Sequence, residues 1–488
     1  MQQSDTNKSR KSKFLKDFGI YTIGVFGTRV ITFLMIPLYT YFVENPSNYG
    51  VWDLCLQATI FLLPLSTLQM REAAFRFLYD EDENAQKTKI ISFIFRTLIS
   101  NLVIIALSVA ALSIVWDFKY LWLTFLLLFS SSFHDVMCQV SRGLKRNDIY
   151  VSCNILNAFL VALLSVLFVA LLKMDVEGIF WANIISRLCI CVYLQFRLHI
   201  LSRYVKISVN CREIGKEIIK YSLPLIPTSM CWLVTTVSDR FFIRIFVSDE
   251  MNGIYAAAIR YTMILHSLAL VFYQTWQETA IRQYNTPDKN QFFSKVFNFY
   301  FYGLGVLLII YSYTLKFCYT WLVGPNYQEG ANYLFIMGFV FLLGAMSSSF
   351  FDLGYQCAKD TKRAIPAIIL VAIINVASNL AITPLLGVHG VIISNFISYL
   401  VLGIYRFIDT KRYFKISISA NTFAMMLMLV LGTALYATLC TSFNTALYSF
   451  DVANMAHFIV FAILVIISIC IAPKELKYMV INKLNKRN

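Results

Sequence analysis

The chain has 488 residues, of which 58% are hydrophobic and 14% are charged, and its mean hydropathy is +0.65. These values exclude a soluble globular protein of this length and are typical of a polytopic membrane protein. The formal net charge is +15. Because most basic residues lie on one side of the predicted membrane, this charge reflects orientation and does not indicate nucleic acid as a partner.

The predicted elements along the chain are almost all long apolar segments. Segments of about 20 apolar residues cross a bilayer as helices, because a helix satisfies its own backbone hydrogen bonds. The first segment follows a polar, basic tail and lacks a small-residue cleavage site, so we interpret it as an uncleaved span. The fourteen predicted spans lie at residues 17–42, 49–70, 90–114, 119–140, 149–172, 177–197, 218–246, 252–278, 296–315, 331–357, 364–384, 388–406, 417–440 and 456–472. The sequence therefore predicts an all-α polytopic membrane protein.

The loops between these spans predict the orientation. With the N-terminus in the cytoplasm, most of the 42 Lys and Arg residues fall in cytoplasmic loops and tails. The loops on the opposite side hold Lys119, Lys173 and Lys316. This asymmetry follows the positive-inside rule, which predicts that both termini are cytoplasmic.

Short motifs recur in the same order in two halves of the chain. The matched pairs are FVENPSNYGVW (42–52) with FVSDEMNGIY (246–255), REAAFR (71–76) with QETAIR (277–282), SSSFHDVMCQ (130–139) with SSSFFDLGYQ (347–356), and VEGIFWANIIS (176–186) with VHGVIISNFIS (388–398). Repeated order of this kind predicts a duplication. Each copy has six spans, so the copies are parallel and related by an axis along the membrane normal.

The duplication predicts the domain organisation. A linker between the copies carries basic residues among apolar ones, which is typical of a segment lying along the cytoplasmic membrane surface. The predicted parts are a cytoplasmic tail (1–16), an N-lobe of spans 1–6 (17–199), the interfacial linker (200–216), a C-lobe of spans 7–12 (217–408), spans 13 and 14 (409–472), and a cytoplasmic C-terminal tail (473–488).

Several local motifs resemble those of a known family. YSLPLIPTSM (221–230) opens span 7, Arg76-Phe77 ends span 2, ENPSNYGVW (44–52) follows span 1, and WLVGPNYQEGANYL (321–334) leads into span 10. With these motifs and two six-span halves, the chain resembles the polysaccharide flippase branch of the multidrug/oligosaccharidyl-lipid/polysaccharide (MOP) exporter superfamily. The resemblance covers about residues 17–472 and implies a MATE/MOP-like fold.

The resemblance implies a function as well. Such proteins move an undecaprenyl-pyrophosphate-linked oligosaccharide, a repeat unit of O-antigen, capsule or exopolysaccharide, across the bacterial inner membrane by alternating access. The implied partners are this lipid-linked substrate, membrane lipids, H⁺ or Na⁺ as coupling ion, and polysaccharide polymerase and chain-length proteins. A lipid II flippase is the nearest alternative. A MATE-type drug/cation antiporter is another, but it requires acids facing the cleft and typically has twelve spans.

The sequence contains no pattern that predicts an enzyme. It has no G-x-x-x-x-G-K-[ST] motif for nucleotide phosphates and no external loop long enough for a membrane-embedded polymerase or glycosyltransferase. Its 11 cysteines are scattered, without Cys/His clusters. We therefore expect no cofactor, no metal site and no disulfide framework.

Arginines inside the predicted spans are the first candidates for the substrate site. They are Arg29, Arg96, Arg187, Arg240, Arg244 and Arg260. A charged side chain at mid-bilayer costs about 2.5–3.5 kcal/mol, whereas a guanidinium fork binds phosphate oxygens well. Because the resemblance implies that spans 1, 2, 7 and 8 line the cleft, we predict Arg29 and Arg260, followed by Arg240, as pyrophosphate or anionic-glycan ligands. The alternative is a structural ion pair or carbonyl contact for each arginine.

A second set of candidates couples ions or forms a gate. It consists of His134, Asp135, Asp352, Asp239 and Asp53. Asp135 and Asp352 occupy the same place in the SSSF motifs, each on a polar stripe along one helix face. His134 aligns with Phe351 in the other copy, so the His134–Asp135 pair is the predicted proton-coupling element. For the two stripes as such, we favour helix–helix hydrogen bonding or an inner gate.

Two predicted i,i+4 ion pairs mark the cytoplasmic ends of spans 2 and 8. They are Glu72 with Arg76 and Glu278 with Arg282. Such a pair adds about 0.2–0.5 kcal/mol to a helix end. We predict that these pairs form part of an inner gate or contact the incoming headgroup, with a simple helix-end role as the alternative.

Overall fold

The computed structural model describes residues 31–79, 81–206, 208–358, 360–442 and 452–472. In this part of the chain the regular secondary structure is all helical, without β-strands. The first half contains α1 (Ile31–Phe42), α2 (Pro46–Ser66), α3 (Met70–Tyr79), α4 (Asn84–Val115), α5 (Leu121–Gly143), α6 (Asn147–Ser165), α7 (Asp175–Leu198), α8 (Ile200–Tyr204) and α9 (Arg212–Ser222). The second half contains α10 (Leu225–Phe246), α11 (Asp249–Gln283), α12 (Lys289–Leu322), α13 (Leu334–Gly344), α14 (Asp352–Cys357), α15 (Ile365–Leu386), α16 (Val388–Asp409), α17 (Ala420–Ser442) and α18 (Val452–Cys470).

Shorter helical segments of other pitch extend these helices. A π-helical turn, Val166–Leu171, continues α6, and a second one, Ala345–Phe350, joins α13 to α14. The 3₁₀ segments Pro325–Tyr333, Thr361–Ala364 and Thr410–Arg412 flank α13, α15 and α16. A π turn shifts the hydrogen-bond pattern from i→i+4 to i→i+5 and is often found at functional sites.

The lengths and composition of the helices confirm a multi-pass membrane protein. Within the described residues, nine helical segments are long and apolar enough to cross a membrane, and three shorter apolar helices accompany them. The helices coincide closely with the predicted spans, of which span 1 is described only from residue 31. The count of fourteen spans stays a prediction.

The first repeated motif acts as a helix N-cap in both halves. The Asn45 side chain accepts a hydrogen bond from the Ser47 amide at 2.9 Å at the start of α2. The Ser248 hydroxyl accepts from the Met251 amide at 3.0 Å at the start of α11. An N-cap side chain satisfies one of the amide groups that have no partner within the helix. The polar residues of this motif therefore begin the second helix of each copy.

The V-x-G motif brings two neighbouring helices close together. A Cβ atom on Gly178 would lie 3.1 Å from the Phe168 backbone, and one on Gly390 would lie 2.7 Å from the Ile382 carbonyl. Both glycines therefore allow the last helix of a copy to pack against the backbone of the helix before it. Small residues at such contacts are typical of membrane helix pairs.

Predicted span 2 is interrupted earlier than the sequence suggests. α2 ends at Ser66, two residues after Pro64, and Leu68 and Gln69 have positive φ angles of 47° and 54°. α3 then begins as a separate helix. The side-chain amide of Gln69 donates to the Ser229 hydroxyl of α10 at 2.6 Å. This hydrogen bond offsets part of the conformational strain of the turn.

The chain divides into two compact units, Met1–Phe241 and Phe242–Asn488. The first has an aliphatic core from α3, α4, α5 and α7. The second has a largely aromatic core from α11, α12 and α13, against which α17 and α18 pack. The division falls within α10, which the sequence assigns wholly to the second lobe, and the domain boundaries given above stay predictions.

Candidate functional site

A buried ion pair joins α2 to α10 in the first unit. Arg240 Nε donates to Asp53 Oδ2 at 3.2 Å, and the two side chains are 3% and 1% exposed. A carboxylate oxygen of Asp239 lies 3.8 Å from Arg240 Nη1. Trp52 fixes this part of α2 by packing edge-on against Phe180 of α7. Ionisable groups buried between membrane helices are costly and commonly mark transport pathways.

A second polar cluster lies between α3 and α5. Asp135 accepts a hydrogen bond from Arg71 Nη1 at 3.3 Å and lies 3.2 Å from His134 Nδ1. The Cys138 sulfur lies 3.6 Å from the other ring nitrogen of His134. Gly143 sets the close approach of the two helices, because a Cβ atom there would meet Leu78 at 2.8 Å. His134 and Asp135 are thus in contact, and Arg71 is a further partner of Asp135. Their role in ion coupling stays a prediction.

α7 adds a second permanent positive charge to this cluster. Arg187 interacts electrostatically with Asp135, and its Nη1 donates to the Asn183 carbonyl at 3.2 Å. Asp135 is therefore surrounded by Arg71, Arg187 and the titratable His134. The cluster combines one carboxylate with two permanent positive charges and one group whose charge depends on pH.

The corresponding acid in the second unit has a different partner. Asp352 on α14 forms an ion pair with Arg406 Nη2 of α16 at 3.2 Å and accepts a hydrogen bond from Gln356 Nε2 at 2.7 Å. Gln356 also bonds to Gln277 at 2.7 Å and to the Tyr273 hydroxyl at 2.9 Å. Gln277 aligns with Arg71 in the repeated motif. In both copies the helix with the E-x-A motif therefore contacts the SSSF motif, through Arg71 in the first copy and through Gln277 in the second.

Arg406 is a site residue that the sequence analysis missed. The predicted orientation assigns Arg406 to a cytoplasmic loop, at the end of span 12. In the structure it lies within α16, and its side chain is 2% exposed. Its Nη1 donates to the carbonyls of Ser347 and Ser348 at 3.2 and 2.7 Å. These carbonyls belong to the π-helical turn. In the first unit, SSSFHDVMCQ is regular α-helix, so the two similar motifs have different backbone structures.

Another missed contact involves the C-terminal helices. Lys316, which the sequence places in an outer loop, lies inside α12 and contacts the ring nitrogen of His457 on α18 at 2.5 Å. The ammonium group is also 4.7 Å from the centre of the Tyr436 ring on α17. All three helices belong to the second unit. Lys316 therefore links the helices beyond the predicted repeat to that unit.

The structure places the remaining predicted residues as follows. Arg260 is half-buried on α11, and Arg29 lies outside the described residues. Glu72 pairs with Arg71 at 3.4 Å instead of the predicted Arg76, because Arg71 reaches both Glu72 and Asp135 from the first turn of α3. The side chains of the second predicted gate pair, Glu278 and Arg282, also lie outside the described part.

Two further arginines predicted inside spans bind to other parts of the chain. Arg96, within α4, donates to the carbonyls of Lys206 and Val209 in the linker. Arg244 pairs with Asp249 at 3.0 Å near the end of α10 and the start of α11, where both side chains are about one-third exposed. Arg96 therefore holds the linker, and Arg244 forms an ion pair between two helix ends.

Comparison with known proteins gives a family and a fold. The family described as polysaccharide biosynthesis protein matches residues 14–277, more than half of the chain. No curated protein sequence matches. The lipid II flippase MurJ in an inward closed conformation has a TM-score of 0.64 at 15% identity over 91% of this chain and 97% of its own.

Two drug transporters are also similar in structure. An inward-facing multidrug resistance MATE family transporter of the MOP superfamily has a TM-score of 0.64 at 14% identity over 79% of this chain and 95% of its own. The MATE multidrug transporter DinF-BH has a TM-score of 0.57 at 17% identity over 80% of this chain and 93% of its own. At these identities the similarity is one of fold. The predicted MATE/MOP-like fold and the resemblance to the MOP superfamily are confirmed.

Proposed function

Because this chain belongs to the polysaccharide biosynthesis protein family, we propose that it is a flippase for an undecaprenyl-pyrophosphate-linked oligosaccharide. It moves a repeat unit of O-antigen, capsule or exopolysaccharide across the bacterial inner membrane by alternating access. The observation that carries this proposal is the buried Asp53–Arg240 pair in a transporter fold. Burial of ionisable side chains between membrane helices costs free energy, and such residues commonly bind a charged substrate or a coupled ion.

Arginine provides the chemistry that this substrate requires. A pyrophosphate carries at least two negative charges, and a guanidinium group binds phosphate oxygens in a bidentate fork. Arg260 on α11, together with Arg29, is the proposed anchor for the pyrophosphate. Arg240 is a third ligand, held by Asp53 while the substrate is absent. In a site of low dielectric this attraction is much stronger than in water.

The Asp53–Arg240 pair also offers a route to ion coupling. A proton or Na⁺ that neutralises Asp53 removes the partner of Arg240, and the guanidinium then binds the incoming pyrophosphate. Release of the ion restores the pair and expels the substrate. Asp239, beside Arg240, is an alternative acceptor of the same ion, and the His134–Asp135 cluster is a second candidate for proton coupling.

The inner-leaflet headgroup is proposed to meet the cytoplasmic ends of the helices first. Arg71 and Glu72 lie there, on α3, together with Arg76, and Glu278 and Arg282 are the corresponding pair of the other copy. Asp352, with Arg406, holds the corresponding end of the second unit closed. This arrangement requires both termini to be cytoplasmic. In the proposed function, the chain delivers its substrate to polysaccharide polymerase and chain-length proteins, which act after it.

A lipid II flippase is the second candidate. The fold similarity to MurJ extends over 91% of this chain, against 79% for the MATE family transporter of equal TM-score. Lipid II carries the same undecaprenyl pyrophosphate group, so the same arginines would bind it. The substrates of the two candidate functions therefore differ in their sugar portion and have the same undecaprenyl pyrophosphate group.

Transport by the purified full-length chain tests the proposal. Proteoliposomes would be loaded with a fluorescent undecaprenyl-pyrophosphate-linked oligosaccharide or with fluorescent lipid II, and the fraction accessible to an external quencher followed in time. We expect translocation of the oligosaccharide lipid. Translocation of lipid II alone would favour the second candidate, and an absence of translocation for both substrates, with complementation of a flippase-deficient strain also failing, would refute the function.

A further inference from the structure

An open cleft of about 530 Å³ lies between α4 and the linker that precedes α9. One wall is a face of α4 with Arg96, Thr97, Ser100 and Asn101, and the other contains Asn210 and Arg212 of the linker. Two guanidinium groups, two hydroxyl groups and the Asn210 amide therefore line one concave surface, while the Asn101 amide donates to the carbonyls of Leu65 and Ser66. This composition matches an oxyanion with several acceptor oxygens.

The linker wall is held in place by α4 itself. Arg96 Nη2 donates to the carbonyls of Lys206 and Val209, the latter at 3.2 Å. Ser92 accepts from the Lys206 amide at 3.0 Å and donates to the Tyr204 carbonyl at 2.7 Å. The cleft is thus built from hydrogen-bonded backbone, and its shape does not depend on exposed side chains alone.

Arg212 is the charge available to a ligand. Its side chain is exposed, and no acidic side chain within the described residues forms an ion pair with it. A basic residue of this kind at the predicted cytoplasmic membrane surface is attracted to anionic lipid headgroups.

The cleft continues into a lipid-facing surface. Ile104, at its edge, is 60% exposed, and Leu107, one turn further along α4, is 66% exposed. A polar cleft that opens onto an exposed apolar helix face matches a molecule with a phosphate group and acyl chains. A free phosphate ion would use the polar part alone.

We propose that this cleft binds the headgroup of an anionic phospholipid from the cytoplasmic leaflet, with its phosphate between Arg96 and Arg212 and its acyl chains along Ile104 and Leu107. The lipid ties the linker to α4 and is separate from the transported substrate. The proposal rests on the geometry of the first unit and does not require the flippase function proposed above.

Binding of a fluorescent phosphatidylglycerol to the full-length chain in detergent tests this proposal. We expect binding that is weakened about tenfold or more by Arg212→Gln, since one charged contact is lost. Ser100→Phe fills the cleft without a change of charge and should weaken binding similarly. Lys216→Gln removes the same charge from α9 outside the cleft, and we expect it to leave binding unchanged.

Each control has an outcome that overturns the proposal. Equal weakening by Lys216→Gln and Arg212→Gln would indicate diffuse attraction by the basic surface. Unchanged binding in Ser100→Phe would place the lipid elsewhere. Binding of fluorescent phosphatidylcholine as tight as that of phosphatidylglycerol would remove the anionic specificity, and equal competition by inorganic phosphate or by undecaprenyl pyrophosphate would make the site one for phosphate or for the substrate.

Discussion

Arg240 of α10 donates to Asp53 of α2 at 3.2 Å, although 187 residues separate the two in the chain. The pair lies within the first unit and is almost inaccessible to solvent. A buried ion pair of this kind contributes little net stability when it is complete, but removal of one partner leaves an uncompensated charge. Its presence in an apolar helix bundle is therefore better explained by function than by stability.

Single substitutions in this pair should be far more harmful than the double substitution. We expect Asp53→Leu or Arg240→Met to lower the free energy of unfolding by about 3–5 kcal/mol, because each removes one partner of a buried ion pair. The double variant should recover much of this stability and still fail to export the substrate. Thermal unfolding in detergent and an export assay measure the two effects, and additive losses in the double variant would argue against a coupled pair.

Arg260 should be essential for transport but not for folding. Arg260→Ala removes a proposed pyrophosphate ligand, and we expect export to be lost at normal protein levels, while Arg260→Lys restores part of it as a point charge. Arg244→Ala is the matched control, because Arg244 pairs with Asp249 at a partly exposed position. Full export by Arg260→Ala would exclude Arg260 as a ligand.

The rate of transport should depend on pH through His134. The proposed role requires His134, beside Asp135, to exchange a proton during the cycle, and histidine is the side chain most suited to this near neutral pH. We expect His134→Phe, which makes the position resemble Phe351 of the other copy, to reduce the difference between transport rates at about pH 6 and about pH 8. His199→Asn, at an exposed helix end, serves as control. An unaltered pH profile in His134→Phe would show that the coupled proton binds elsewhere.

Arg406 should be irreplaceable even by lysine. Its guanidinium group bonds to Asp352 and to the carbonyls of Ser347 and Ser348, and a single ammonium group lacks the planar fork that such a set needs. We expect Arg406→Lys to lower thermal stability markedly, and Arg406→Leu to lower it further, because the carbonyls of Ser347 and Ser348 then lose their donor. The double variant Arg406→Leu/Asp352→Leu should be more stable than Arg406→Leu. Wild-type stability of Arg406→Lys would contradict this account.

Lys316 should anchor the two C-terminal helices. We expect Lys316→Met to weaken the attachment of α18 to α12, because it removes the contact with His457 and the cation–π contact with Tyr436. Limited proteolysis after α17 should become faster. Lys295→Met, at an exposed position of the same helix, is the control. Equal proteolysis of both variants would show that packing alone holds α18.

The sequence predicts individual helices well and their contacts poorly. Apolar segments of sufficient length indicate the spans directly, and the His134–Asp135 contact follows from adjacency in the chain. In contrast, helix spacing assigns Glu72 to Arg76, and the structure places it against Arg71. A helix offers an acid several neighbours at similar distance, and the tertiary contact of Arg71 with Asp135 decides between them.

The repeated SSSF motif shows the same limit. Its similarity in the two halves predicts two equal polar stripes, yet Arg406 meets the second one at a π-helical turn. The sequence signal that points to Arg406 is weak, since a basic residue near the end of a span normally lies in a loop. Only the packing of α16 against this turn makes it a buried partner of Asp352.

By itself, the sequence determined the class of the protein, an all-α membrane protein of MOP type, because hydropathy and helix length are local properties that a bilayer selects directly. The tertiary structure decided which polar groups are partners: Asp53 with Arg240, Asp352 with Arg406, and Lys316 with His457. These contacts depend on the rotation and vertical position of each helix. A segment that is apolar on most sides does not encode either of these in its pattern.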